Sequence, residues 1–232
     1  LKGAMQQSSE LMAVVKAEAY GHGMYEIATY AEKMGVGSFA VATIDEGIEL
    51  RRCGISGEIL VLGYTDPSRA GDLRRYDIMQ TVIGREYSEL LNAQGYRIKA
   101  HIKIDTGMHR LGFDDTDIDG IISAFGMKNI DVHGIYTHLC VSDSLEEDDV
   151  RFTSMQIERF YKLLHTIKER GIAIPKTHIQ SSYGLLNYPE LKCDYVRAGI
   201  AMYGVLSSPN DETKLHLDLK PVLSVKSRVV LL

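Results

Sequence analysis

The chain has 232 residues, 45% hydrophobic and 25% charged, enough to bury a full core and to form one large domain or two small ones. Acidic residues outnumber basic ones, 31 to 26, for a net charge of −5, and no basic cluster stands out, which gives no support to nucleic-acid binding. Three scattered cysteines, Cys53, Cys140 and Cys193, make no CxxC pair, an arrangement that points to a reducing compartment and away from a metal site.

Short apolar, β-rich runs alternate with amphipathic stretches along the chain. Leu11–Val15 reads as strand and Met24–Met34 as helix, with Ile27, Tyr30, Ala31 and Met34 on one face. Ser38–Val41 is strand and Ile44–Arg52 helix, stopped by Gly54. Ile59–Leu62 is strand; Gly63 and Asp66-Pro67 open a turn and a short helix that ends at Arg75. Ile78–Ile83, Ile98–Ile104 and Val132–Tyr136 are strands, separated by helices over Glu86–Ala93 and Thr116–Phe125. Asp148–Arg170 is the longest helical pattern, begun by acidic residues and stopped by Gly171. Thr177–Ile179 and Asp194–Val196 are short strands, with a small helix starting near Leu185–Leu186.

About eight strands with helices between them imply parallel strands joined by crossovers, and suggest an α/β fold of the (β/α)₈ TIM-barrel type, with an open doubly wound sheet as the alternative. After Tyr203 the character changes. Ser207-Ser208-Pro209-Asn210 reads as loop, and Leu219 to Leu232 thickens with Val and Leu like the start of a β-domain. There is no signal peptide and no long apolar run, so the stretch neither spans a membrane nor carries its own export signal. That fits a cytoplasmic protein, or the cytoplasmic part of a longer membrane-bound one. Position 1 is Leu, and we expect the natural start to lie upstream.

A barrel enzyme gathers its polar residues just after the strands, on one face. Here Lys16 follows the first predicted strand, Arg110 the fifth, His138 the sixth, Ser182 the seventh, and Arg197 and Gly199 the eighth. Lys16 ends an apolar run and precedes a turn with Gly21 and Gly23; desolvation at such a mouth would lower its pKa and make it a Schiff-base former. Each position also has a plainer reading by pattern alone. Lys16 can end a strand in water, KIDTGMHRLGF can be a glycine turn with surface basics, His138 a structural histidine and Arg197 a surface ion-pair partner.

The segment VVKAEAYGHG (Val14–Gly23) resembles the cofactor-attachment segment of the alanine racemase family, VVKAxAYGHG. Glu18 at its variable position leans toward the serine/alanine racemase branch. KIDTGMHRLG (Lys103–Gly112) resembles the motif KxDTGMxRLG; the YTH of GIYTHLCVSDS, the FTxxQ of Phe152–Gln156, HIQSSYG and VRAGIAMYG extend the match from about Leu11 to Tyr203. The resemblance implies pyridoxal 5′-phosphate as cofactor. It would be held by Lys16 as an internal aldimine, with Tyr20, Ser182 and the Gly199 and Ile200 backbone on its phosphate. Arg110 would touch its phenolic oxygen and the substrate carboxylate, and Lys103, carbamylated, would brace Arg110. His138 would stack on the pyridine ring and Arg197 would face the ring nitrogen. Asp143 and Ser144 would lie in the mouth loop. Ser181 stands where the family usually has Asn.

The implied reaction is two-base interconversion of L- and D-alanine, or L- and D-serine, supplying D-amino acids for peptidoglycan, with Lys16, Lys103, Arg110 and His138 as the catalytic set. Residues 1–206 would form the cofactor-binding barrel, its N-terminus incomplete, and 207–232 a linker and the first strand of a truncated C-terminal β-domain. The second base would be a tyrosine from that domain of a partner subunit in a homodimer. Two rivals remain: a non-catalytic barrel that stores or delivers the cofactor, which has no need of Lys103 and Arg110, and a decarboxylase of related fold, which expects a carboxylate where Arg197 stands.

Overall fold

A computed structural model describes residues 1–208 and 210–231. Its strands, in chain order, are β1 (Glu10–Val14), β2 (Ser38–Val41), β3 (Glu58–Val61), β4 (Met79–Val82), β5 (Ile98–Asp105), the two-residue β6 (Phe113–Asp114), β7 (Ile130–Tyr136), β8 (Lys176–His178) and β9 (Tyr195–Ala198). Apart from β6, which pairs only with β5, they bond in parallel in the order β8-β7-β5-β4-β3-β2-β1-β9. The two ends of that row meet. The Asp194 N–H donates to the Thr177 carbonyl at 2.9 Å and the Arg197 N–H to the Gln180 carbonyl at 3.1 Å. Eight strands therefore close into a barrel, and the open sheet is excluded.

The crossovers carry α1 (Lys16–Gly21), α2 (Met24–Lys33), α3 (Ile44–Arg52), α4 (Ala70–Arg75), α5 (Arg85–Ala93), α6 (Ile118–Phe125), α7 (Glu147–Glu169) and α8 (Ser182–Asn187). Successive side chains of a strand point to opposite faces, and the burial divides accordingly. One alternate set, including Phe39, Val41, Ile59, Val61, Ile102 and Ile135, packs outward into the large core shared with the helices. The other set faces the lumen, where Met12, Val14, Ala40, Leu60, Met79 and Tyr195 form a second, smaller cluster.

α1 is helical in hydrogen bonding but left-handed in hand. Ala17, Glu18, Ala19 and Tyr20 have φ between 50° and 56°, a conformation that costs about 1–2 kcal/mol per L-residue. The surroundings hold it. Thr43 and Glu46 cap α3 reciprocally, and the same Glu46 carboxylate accepts from Ala17 N–H at 2.8 Å and Ala42 N–H at 2.6 Å. Gly21 and Gly23, also at positive φ, let the chain leave the turn.

After the 3₁₀ turn at Ile200–Tyr203 the chain crosses Gly204, whose missing Cβ leaves room for the Lys220 carbonyl, and Val222 N–H donates to the Tyr203 carbonyl at 3.1 Å. Residues 219–231 carry no strand, and from Val222 to Leu231 their Val and Leu side chains are exposed. Among the described residues no strand pairs with this stretch. Pro209 and Leu232, parts of the two C-terminal readings, lie outside the described residues. Among the described residues, no helix is long and apolar enough to cross a membrane.

Candidate active site

A cavity of about 510 Å³ opens at the C-terminal ends of the strands and is lined by every site residue read from the sequence. Lys16 and Tyr20 come from the left-handed turn after β1, and Lys103 from β5 itself. The loop after β5 is tied by Asp105, whose Oδ1 accepts from Gly107 and His109 N–H at 2.9 and 3.1 Å, and this turn carries Arg110 to the mouth. His138 follows β7, Ser182 opens α8, Arg197 lies in β9, and Gly199 and Ile200 follow it.

The electrostatics are lopsided. Lys16, Lys103, Arg110 and Arg197 face one cavity whose lining holds a single carboxylate, Asp143. None of the four cations makes an ion pair among the described residues. Arg197 is buried, and its guanidinium meets only neutral groups. Nη1 lies 2.7 Å from His178 Nδ1, and Nη2 donates to the Thr137 carbonyl at 2.8 Å and lies 3.2 Å from His138 Nδ1. The Tyr136 ring sits 4.9 Å from its carbon centre. Burial pulls this guanidinium down to about 10, still charged at neutral pH.

Lys103 is 3% exposed, and its ammonium has the Ile104 carbonyl at 3.5 Å as its one hydrogen-bond partner among the described residues. Burial, then Arg197 and Arg110, push it down to about 8, so a substantial share is neutral amine near that pH. His138 is held well below the usual imidazole range by burial and by Arg197, Arg110, Lys103 and Lys16. It is a neutral ring, with Nδ1 turned to a guanidinium that can only donate.

The far wall is a cradle. Ser182 Oγ accepts from Gly199 N–H at 3.0 Å and Ala201 N–H at 3.2 Å, which leaves its own proton to donate. A Cβ on Gly199 would lie 2.6 Å from Tyr20 Oη, so glycine is what lets the tyrosine hydroxyl reach the backbone here. Tyr20 is braced by Tyr203, ring centroids 5.1 Å apart. Ser181 caps α8, its Oγ accepting from Gly184 N–H at 3.4 Å. Unpaired cations, an amine at the mouth, and hydroxyl donors beside a side-chain-free backbone fit a phosphate-bearing aldehyde and an amino-acid carboxylate.

Sequence reading gave no role to several residues that hold this arrangement, although Tyr136, His178 and Gln156 stand in the motifs quoted above. Tyr136 lies under Arg197 and stacks on His178, centroids 4.3 Å apart. His178 in turn meets His101, Nε2 to Nδ1 2.8 Å. Gln156 of α7 accepts from Cys140 N–H at 3.1 Å and donates to Thr106 Oγ1 and the His138 carbonyl, both at 3.3 Å, which ties the loops after β5 and β7 together. The signal was the strand period: Tyr136 is two residues before His138, His101 two before Lys103, and Tyr195 two before Arg197.

Fold and cavity together define a TIM-type barrel whose mouth is built for an anionic ligand next to a lysine. The chain belongs to the alanine racemase family: residues 1–207 match the model of the alanine racemase N-terminal domain. It is 58% identical to an amino-acid racemase of Enterococcus faecalis over 232 residues, all of this chain and 32% of that protein. It is 46% identical to a serine/alanine racemase of Enterococcus gallinarum, covering 96% of this chain and 32% of that one. A solved alanine racemase of Clostridium difficile 630 in complex with cycloserine superposes with a TM-score of 0.88 at 34% identity, covering 95% of this chain and 61% of that one. The chain thus spans about a third of the length of the two Enterococcus racemases.

Proposed function

We propose that this chain is the cofactor-binding barrel of a pyridoxal-phosphate-dependent amino-acid racemase acting on alanine or serine. The observation that carries the reading is the cavity with four cations and one carboxylate, Lys16 among them, at the strand ends. Bound there, the cofactor supplies an electron sink that acidifies the substrate α-carbon. Lys16 holds the cofactor and moves a proton to and from one face of that carbon. Tyr20, Ser182, Gly199 and Ile200 would take the phosphate, and His138 would lie against the ring.

Arg197 would face the ring nitrogen of the bound cofactor. A guanidinium gives up no proton, so Arg197 would leave that nitrogen unprotonated and favour return of the proton to carbon over transamination. Arg110 orients the substrate carboxylate. The Lys103 amine, partly neutral, combines with carbon dioxide to give a carbamate and a released proton, and the resulting anion braces Arg110. The group that serves the opposite face comes from outside these residues, from the partner subunit of a homodimer. Residues 207–232 are the linker and first segment leading to that second domain. The D-amino acid product serves peptidoglycan assembly.

The test is to incubate the intact protein with pyridoxal phosphate and each enantiomer of alanine and of serine in D₂O, reading deuterium content and chirality together. Interconversion with deuterium at the α-carbon is expected. Exchange without inversion, or decarboxylation, would overturn the reading.

A further inference from the structure

We propose that His101 is a positioning residue of this site: it fixes the tautomer of His178, and through that ring the hold on Arg197. A guanidinium only donates, so His178 Nδ1, 2.7 Å from Arg197 Nη1, must be the bare, accepting nitrogen. The His178 proton is then on Nε2. That nitrogen lies 2.8 Å from His101 Nδ1, which must accept in turn and leaves the His101 proton on its own Nε2. Every hydrogen bond in the row Arg197–His178–His101 runs one way, and each ring must be neutral. Both rings are buried. Burial, then His133, Arg197 and Lys176, push His101 down to about 3, which keeps it an acceptor.

The backbone makes room for this ring. The pairing of β5 with β7 slips between Ala100 and His101: Ala100 faces Val132 while His101 faces Gly134, and His133 is the extra residue. A Cβ on Gly134 would lie 2.5 Å from His101 Nδ1 and Cε1. Bulge and glycine together seat an imidazole where an ordinary parallel pair would not admit one. An acceptor on the His178 Nε2–H makes its Nδ1 a better partner for the guanidinium. Without it, His178 keeps a buried, unsatisfied N–H and gains by switching tautomer, which sets N–H against N–H at Arg197.

The proposal rests on the reading of Arg197 as a residue of the cofactor site; the tautomers do not. In the intact, cofactor-free protein labelled with ¹⁵N-histidine, both His101 and His178 should be neutral with the proton on Nε2. A proton on Nδ1 of either ring overturns the proposal, and this measurement needs no variant. In His101→Phe the His178 resonances should move to mixed tautomers, and Gly134→Ala should reproduce the change. In His101→Gln, whose carbonyl still accepts, they should stay. With pyridoxal phosphate and alanine, His101→Phe should lower kcat about tenfold with KM little changed, and His101→Gln should restore it to within about threefold. A protein that racemises while His101→Phe keeps both its His178 tautomer and its kcat overturns the proposal alone. One with the expected tautomers that fails to bind pyridoxal phosphate overturns the racemase reading alone.

Discussion

Along β1 to β4 most lumen positions are apolar, with Met12, Val14, Ala40, Leu60 and Met79 buried and packed on one another beside the polar Ser38, Glu58 and Thr81. Along β5, β7, β8 and β9 they are His101, Lys103, Tyr136, His178 and Arg197, as deeply buried but charged or polar, together with Tyr195, whose ring joins the apolar cluster. The border is a hydrogen bond, Thr81 Oγ1 of β4 to Tyr136 Oη at 3.0 Å. One half contributes apolar burial and the other costs desolvation. The barrel tolerates this because the outer core between sheet and helices runs all the way round, so the fold does not need both halves of the lumen. The polar half is free to carry groups chosen for what they do at the mouth, and its members bond to one another, from Arg197 through His178 to His101.

The comparison breaks most plainly at Lys16, the one cation that follows the apolar half. Lys16→Ala should lower racemisation by about 10²–10⁴-fold, the loss of one placed acid/base. The side chain is only partly buried at the mouth, so stability should move by less than about 0.5 kcal/mol. Borohydride reduction of the parent with pyridoxal phosphate should place the label on Lys16 by peptide mapping. A label on another lysine, or visible cofactor absorbance retained in Lys16→Ala, would remove Lys16 from its role.

Leu60 tests the other half. It is 0% exposed in the apolar lumen cluster, and Leu60→Ala should cost about 2–5 kcal/mol of stability. The folded fraction should still take the borohydride label on Lys16 and turn over normally, read as denaturation midpoint against activity per folded molecule. Lost turnover at full foldedness would mean that the apolar half also shapes the site.

The two halves were not equally legible in the sequence. All eight barrel strands were readable, because apolar residues dominate their outward face, with Gln80 in β4 and Thr177 in β8 as exceptions. Ser38–Val41 and Ile44–Arg52 were read to the residue; the structure adds that Thr43 and Glu46 cap the latter reciprocally. The polar half also carried its signal: in His101-Ile102-Lys103-Ile104-Asp105 the polar residues alternate with buried isoleucines, so Lys103 faces the lumen by period alone. What the sequence concealed was pairing across strands. His101 meets His178 at a separation of 77 residues, and a slip in register at Ala100 decides that it faces Gly134. The left-handed turn at Ala17–Tyr20 was hidden too, because its support arrives from Glu46 in the next βα unit. β-structure over 219–232 was read from composition, which is blind to whether a strand has a neighbour.

Lys103 sets the smallest and sharpest test, because it carries both the cost of the polar half and its chemistry. Its amine titrates near 8 in the folded chain against 10.5 as the ordinary value. Between those pH values the unfolded chain holds a proton that the folded chain has released, so stability must rise with pH across that window. Below about 8 the penalty of a buried ammonium is fully present; above 10.5 both states are neutral and it is gone. In carbon-dioxide-free buffer the parent should show this rise, on the order of 1 kcal/mol or more, in denaturant midpoints. Lys103→Met, apolar and of similar length, should flatten it and be more stable than the parent at pH 7. Bicarbonate should flatten the parent as well, since a carbamate has no amine left to titrate. Activity should separate the two flat curves: about tenfold or more lost in Lys103→Met, partly regained with added small carboxylates, and none lost in the bicarbonate-treated parent. A parent whose stability ignores bicarbonate across the window, or a Lys103→Met protein of full activity, would show that this lysine is only tolerated by the polar half and does not serve it.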